Sequence, residues 1–303
     1  MPSPTLHLYD PRRGEPALRV DPLAGECLQG VAQKWNYFSL LWIQEGQGTF
    51  WADLARHPFQ DHDLLCFTPY QTLKLLPAAP VTGIRIQFHA NFFCIEAHHE
   101  EVGCNGVLFN DLGSVPVVRV EPGFRGELGG LVDAMRQELA EVGLAHTEIL
   151  ISYLKILLVR ATRIKLQQQE VLWEPQGKRP PAIDELRQLI EAHFRTHHKP
   201  RDYAALLCLT PGALARLVQT YFHTTPTQLI RERILRAAKW ELLHTTRPVK
   251  QIAHDLGYAD VFYFSRIFKQ AVGCSPTFFR EYETEIRGGR DLSIPGPDPS
   301  ILP

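Results

Sequence analysis

The sequence has no Cys-x-x-Cys pair, no phosphate-cradling glycine loop, no kinase motif and no Ser/His/Asp constellation. Nor does it contain an apolar run approaching the roughly 18 residues that a membrane-spanning helix requires. These absences argue against an enzyme of the common hydrolytic or phosphoryl-transfer kinds, and against a membrane partner. The six cysteines, at 27, 66, 94, 104, 208 and 274, are scattered through 303 residues. That usage reads as the reduced thiols of a cytoplasmic protein rather than as a disulfide framework. Met1 to Asp10 has no basic segment leading into an apolar one, so no secretory signal is expected. Charge bias is missing as well, the formal net charge being −1.

The distribution of that charge is more informative. Residues 182–290 hold 16 Lys/Arg against 11 Asp/Glu, and the rest of the chain holds 16 against 22. A basic C-terminal third beside an acidic remainder predicts that only the former meets a polyanion.

Short strand signals occupy residues 27–95. Phe38-Ser-Leu-Leu-Trp-Ile43 leads into Glu45-Gly-Gln-Gly48, a hairpin signal, and Thr49-Phe-Trp51 follows. Leu64-Leu-Cys-Phe67 is closed by Thr68-Pro69. Ile84-Arg-Ile-Gln-Phe-His89 alternates strictly, placing Ile84, Ile86 and Phe88 on one face. Strands at this spacing predict a small barrel or sandwich. The period then changes. Phe124 to Val142 carries Leu128, Leu131, Val132, Met135 and Leu139 at helical spacing, and Glu148 to Leu166 carries Ile149, Tyr153, Ile156, Leu157 and Ile164. Gly143 to Thr147 would connect them as an antiparallel pair, either packing on the sheet or forming a dimer interface. Glu174-Pro-Gln-Gly-Lys-Arg-Pro-Pro181 cannot continue a helix and reads as an extended linker. The expected division is therefore 1–172, a linker at 173–181, a helical domain at 182–287, and a disordered tail at 288–303.

The helical domain repeats itself at an offset of 50 residues. Leu214-Ala-Arg216-Leu-Val-Gln219 matches Phe264-Ser-Arg266-Ile-Phe-Lys269, and Thr225-Pro226 matches Ser275-Pro276. Ala204 and Ala253 stand upstream as tight packing points in a short first helix. In the second copy Gly257 permits positive φ in the turn, and Asp260 caps the helix beginning near Val261. In the first, Thr210-Pro211 supplies the cap and the proline at the first helical position. The pattern predicts two helix-turn-helix units.

Three segments make the resemblance to a family close: Arg233-Ile-Leu-Arg-Ala237-Ala-Lys-Trp-Glu-Leu-Leu243, Gly257-Tyr258-Ala-Asp260 with Tyr263-Phe264-Ser265-Arg266-Ile-Phe268-Lys269, and Gly273-Cys-Ser275-Pro276-Thr-Phe-Phe-Arg280. Over about residues 182–283 the chain resembles the AraC/XylS family of transcription regulators. The resemblance implies a seven-helix domain whose two recognition helices enter successive major-groove segments on one face of double-stranded DNA. By matching positions, the implied DNA contacts are Gly212, Ala215, Arg216 and Gln219 in the first helix and Val261, Phe262, Ser265 and Arg266 in the second. Arg216 and Arg266 suit guanine or phosphate, Gln219 suits adenine, and Val261 and Phe262 suit thymine methyls. Lys269, Arg280 and the Thr210 cap would position the backbone. The sequence departs from the family at His223, where glycine is usual, and at Val218, where phenylalanine is common.

The N-terminal part resembles the sensor domain of the same family through Leu41 to Phe50, Asp63 to Pro69 and Gly83 to Phe88. The fold expected is thus α+β with two domains: an N-terminal cupin-like β-barrel with a dimerising helix pair, and a C-terminal all-α double helix-turn-helix domain. A small effector, a sugar or an aromatic molecule, would sit in a barrel lined by Trp35, Phe38, Trp42, Phe50, Trp51 and Phe88; these are equally ordinary core aromatics. Enzymatic cupins hold metal through His-x-His, which is absent, so neither a cofactor nor a catalytic residue is expected. Cys94, His98, His99, Glu100, Glu101 and Cys104 form a cluster that allows metal or redox sensing as the alternative. RNA polymerase and a second copy of the chain are the remaining partners implied.

Overall fold

The computed structural model describes residues 4–23, 30–53, 55–95, 105–109, 115–141, 143–173 and 180–286. The chain divides into two compact units at Pro180/Pro181, with Tyr221–Thr224 grouped with the first. The first unit contains β1 (Thr5–His7), β2 (Leu18–Pro22), β3 (Gln33–Trp35), β4 (Phe38–Glu45), β5 (Gly48–Ala52), β6 (Ala55–Phe59), β7 (Asp63–Phe67), β8 (Leu73–Pro77), β9 (Thr82–Phe88) and β10 (Val117–Arg119), followed by α1 (Pro122–Ala140) and α2 (His146–Trp173).

The strands make two five-stranded sheets, ordered β1-β3-β8-β5-β6 and β10-β7-β4-β9-β2. Among the described residues no strand joins the two sheets by a ladder, so the closed barrel expected from the sequence is instead a pair of open sheets. The Glu45–Gly48 segment shows why. It is a corner, not a hairpin: β4 pairs with β7 and β9, while β5 crosses to the other sheet and pairs with β6 and β8. Gly46 makes that corner at φ +118, and a Cβ there would stand 2.8 Å from Val81 Cγ2.

The β10-β7-β4-β9-β2 sheet is covered on both faces, which explains the nearly unbroken apolar run of β4. Phe38, Leu40 and Trp42 of β4 join Ile84, Ile86 and Phe88 of β9 in one core with the helices. Leu41 and Ile43 alternate to the opposite face and are also buried. Between the sheets Phe50 meets Phe67 edge-on, their ring centres 5.6 Å apart. From α1, Phe124, Leu128, Val132 and Met135 enter the helix-side core. From α2 the core stripe is Leu150, Leu154, Leu157, Leu158 and Ala161. This differs from the stripe the periodicity selects: Ile149 is half-buried and Ile156 is 44% exposed. The helix is apolar on more than one face, so spacing alone does not choose the buried one. It also runs past Leu166 to Trp173, as no proline intervenes before Pro175.

The second unit is built of seven helices: α3 (Pro181–His193), α4 (Pro200–Leu206), α5 (Pro211–Phe222), α6 (Pro226–His244), α7 (Val249–Asp255), α8 (Val261–Val272) and α9 (Pro276–Ile286). Five of them open on proline, whose fixed φ suits the first turn and whose missing N–H is not needed there. Of the linker expected at 173–181, residues 174–179 lie outside the described residues, as does the whole tail expected at 288–303; Trp173 ends α2 and Pro181 opens α3. No helix among the described residues is long and apolar enough to cross a membrane.

Candidate nucleic-acid interface

Two helix-turn-helix units, α4–α5 and α7–α8, share one backbone plan. At the end of α4 the Cys208 N–H donates to the Ala205 carbonyl (3.1 Å) and the Leu209 N–H to the Ala204 carbonyl (2.8 Å). At the end of α7 the Gly257 N–H donates to His254 (2.9 Å) and the Tyr258 N–H to Ala253 (2.9 Å). This pattern reaches back over the last turn and needs one residue in the left-handed region. Cys208 takes φ 55 and Gly257 takes φ 82. The second helices then start on side-chain caps: the Ala213 N–H donates to Thr210 Oγ1 (3.1 Å) and the Phe262 N–H to Asp260 Oδ1 (2.8 Å). Thr225 and Ser275 cap α6 and α9 in the same way, Thr225 through a full capping box with Gln228.

The units differ at their left-handed positions. After α8 stands Gly273 at φ 102, and after α5 stands His223 at φ 53. Where the second unit has glycine at both such positions, the first has Cys208 and His223. A side chain in this region costs about 1–2 kcal/mol. Cys208→Gly and His223→Gly are each expected to stabilise the helical unit by about 1 kcal/mol, seen as a higher urea midpoint for the full chain; a lower midpoint for Cys208→Gly would contradict the reading. Side-chain packing shows the same asymmetry. Val218 is fully buried where the second copy has Phe268, whose ring lies 5.5 Å from that of Phe279.

A charged knot holds the two units to α6. Glu241 is buried and accepts from Arg195 Nη2 (3.0 Å) and Arg247 Nη1 (2.9 Å), while Arg247 also pairs with Asp255. Arg280 donates to the carbonyls of Leu242 (3.1 Å) and Arg247 (2.6 Å), closing the end of α6, and burial lowers its pKa from the ordinary value. Two of its three side-chain nitrogens, Nε and Nη2, are thus engaged with protein backbone. Tyr203 donates to the His197 carbonyl (2.9 Å), and burial pushes its phenol up to about 12.

The other expected contact residues fall on the outer faces of α5 and α8. Thr210, Gly212, Ala215, Arg216 and Gln219 are exposed along α5. In α8, Phe262, Arg266 and Lys269 are exposed and Val261 and Ser265 half-buried, while Phe264, Ile267, Phe268 and Val272 face the core. Phe262 is 80% exposed, an unusual position for a phenylalanine. Sequence reasoning missed Tyr263, also exposed, with the Arg266 guanidinium 5.7 Å from its ring centre. Its signal was available: three consecutive aromatics cannot all face one side of a helix.

The family described as "Helix-turn-helix domain" matches residues 203–282. The second unit is a helix-turn-helix domain of the AraC/XylS family. The raffinose operon transcriptional regulatory protein of Pediococcus pentosaceus is 32% identical over 92 residues, which is 30% of this chain and 33% of that protein. The arabinose operon regulatory protein of Salmonella typhimurium is 30% identical over 105 residues, 33% of this chain and 37% of the relative. Regulatory protein SoxS of Salmonella typhimurium is 40% identical over 67 residues, 22% of this chain and 63% of its own length. The chain thus spans about a third of the two operon regulators and less than two thirds of SoxS. All three are regulatory proteins by name, and each likeness is of a length that the AraC/XylS domain alone accounts for.

The six aromatics expected to line an effector pocket do not converge. Phe38, Trp42 and Phe88 belong to the helix-side core, and Phe50 lies between the sheets. Trp35 is stacked on His7 at 5.9 Å, and Trp51 is half-buried on the face of β5 opposite Phe50. Of the suspected metal or redox cluster, Cys94 is half-buried; His98, His99, Glu100, Glu101 and Cys104 lie outside the described residues. Among the described residues no group of three or more His, Cys, Asp or Glu is placed to hold a metal ion.

Proposed function

We propose that the chain is a cytoplasmic, sequence-specific transcription regulator whose AraC/XylS domain lays α5 and α8 in successive major-groove segments on one face of double-stranded DNA. The observation that carries this reading is the paired outer faces of the two helices. Each presents an arginine, Arg216 or Arg266, and α8 adds Phe262 and Lys269, above a buried core of repeated geometry. In this reading Arg216 and Arg266 donate to guanine O6/N7, Gln219 pairs with adenine, and Val261 and Phe262 pack on thymine methyls, with Ser265 beside them. Gly212 and Ala215 let the backbone of α5 approach, while Thr210 and Lys269 serve the phosphates. Arg280, anchored through Nε and Nη2, serves the phosphate backbone through Nη1.

The N-terminal unit, read as cupin-like, senses a small molecule and shifts the population between DNA-bound arrangements of a homodimer. Ile149 and Ile156, left outside the core of α2, are the apolar surface that supports a dimer through the helix pair. RNA polymerase is the partner through which such a regulator acts. Fluorescence anisotropy with genomic fragments flanking the gene tests the reading. Affinity is expected to fall steeply with salt, because several Arg and Lys displace counterions. Salt-independent binding, or none, would overturn it.

A further inference from the structure

A cleft of about 510 Å³ runs between α1 and the end of the helix-covered sheet where β2 and β4 finish and β9 begins, lined among others by Trp42 and Gln44 of β4, Ile84 of β9, and Asp133 and Arg136 of α1. Its size is that of a small-molecule site. Gly129 lets it exist: a Cβ there would stand 3.8 Å from Trp42 Cη2, so a longer side chain would enter the space. Trp42 is 5% exposed, and its indole N–H, the side chain's single polar group, is buried with no partner. Arg136 is half-buried and Asp133 exposed, one turn apart on α1, and neither is paired among the described residues.

We propose that this cleft binds a small α-amino or α-hydroxy acid with an apolar side chain. Arg136 takes the carboxylate through its fork of donors, and Asp133 takes the adjacent ammonium or hydroxyl. The apolar side chain lies against the Trp42 ring and Ile84. The proposal deepens the reading that the N-terminal unit senses a small molecule, and rests on it for its regulatory meaning. Because the cleft joins sheet to helix, its occupant ties α1 to β4.

Titration calorimetry on the full chain with L-leucine, L-phenylalanine and their 2-hydroxy acid counterparts tests it. At least one probe is expected to bind saturably, and comparing the amino and hydroxy acids identifies the group that Asp133 prefers. Arg136→Gln and Asp133→Asn should each weaken that binding by about tenfold or more, and Gly129→Leu should abolish it. Circular dichroism melts report whether each variant is folded; Asp133 and Arg136, exposed and half-buried on the helix, keep the test open if Gly129→Leu is not. Absence of binding by all four probes up to roughly 10 mM overturns the proposal. So does binding that Arg136→Gln and Gly129→Leu leave unchanged, which would put the sensor site elsewhere. A probe that binds and responds to these variants, yet leaves DNA affinity unaltered, upholds the cleft and instead contradicts small-molecule control.

Discussion

Gly257→Val is expected to unfold the second helix-turn-helix and to abolish DNA binding. Two effects act together at this residue. The backbone stands at φ +82, where a β-branched side chain is strained, and a Cβ would lie 2.2 Å from the Arg195 carbonyl oxygen. That oxygen belongs to the segment between α3 and α4, whose Arg195 side chain is itself anchored on Glu241. The His198 ring, 2.9 Å away, can swing aside, but the Arg195 carbonyl is backbone, so the turn must open or the segment must move. The cost is on the order of 3 kcal/mol or more. Urea melts of the full chain followed by circular dichroism measure it; a midpoint within error of the unsubstituted chain would show that the turn is not held as described. Cys208→Val, at the corresponding position of the first unit, is expected to cost less, since that turn already accommodates a side chain.

The second large effect falls on affinity rather than stability. Arg266→Ala should weaken DNA binding by about 1–3 kcal/mol, or some 5- to 150-fold, with no loss of thermal stability. Arg266 is exposed, and its guanidinium lies 5.7 Å from the ring centre of Tyr263. Arg216→Ala should cost less, because its helix offers Gly212 and Ala215 where α8 offers Val261, Phe262 and Ser265. Anisotropy titrations at one fixed salt concentration compare the two. Equal losses would remove the inequality between the units, and no loss for Arg266→Ala would remove it from the interface.

The helical unit was far more legible in the sequence than the sheets. Its starts are written in local chemistry: Thr210-Pro211, Thr225-Pro226, Asp260 and Ser275-Pro276 all cap as their types require. Gly257 marked its turn, and the departure at His223 now has a physical content, a left-handed backbone carried by a side chain. What failed depended on contacts distant in sequence. The anchoring of Arg280 on the carbonyls of Leu242 and Arg247 could not be read from its motif position. The glycine-rich corner at Gly46 looks like a hairpin because local sequence does not say which sheet the next strand joins. Of the aromatics expected to line a pocket, Phe38, Trp42 and Phe88 share one core, whereas Phe50 and Trp51 alternate to opposite faces of β5, which joins the other sheet. The cleft had a signal that went unused: Gly129-Gly130 in the middle of a helix, where each glycine costs about 1 kcal/mol relative to alanine.

Hydroxyl-radical footprinting of the full chain on a bound genomic fragment tests the central claim most directly. Two helix-turn-helix units in successive major grooves predict two protected stretches on one face of the duplex, separated by about one helical turn, near 10 base pairs. Arg216→Ala should weaken protection in one stretch and Arg266→Ala in the other. A single protected stretch that responds to both substitutions, or no protection at all, would contradict the account.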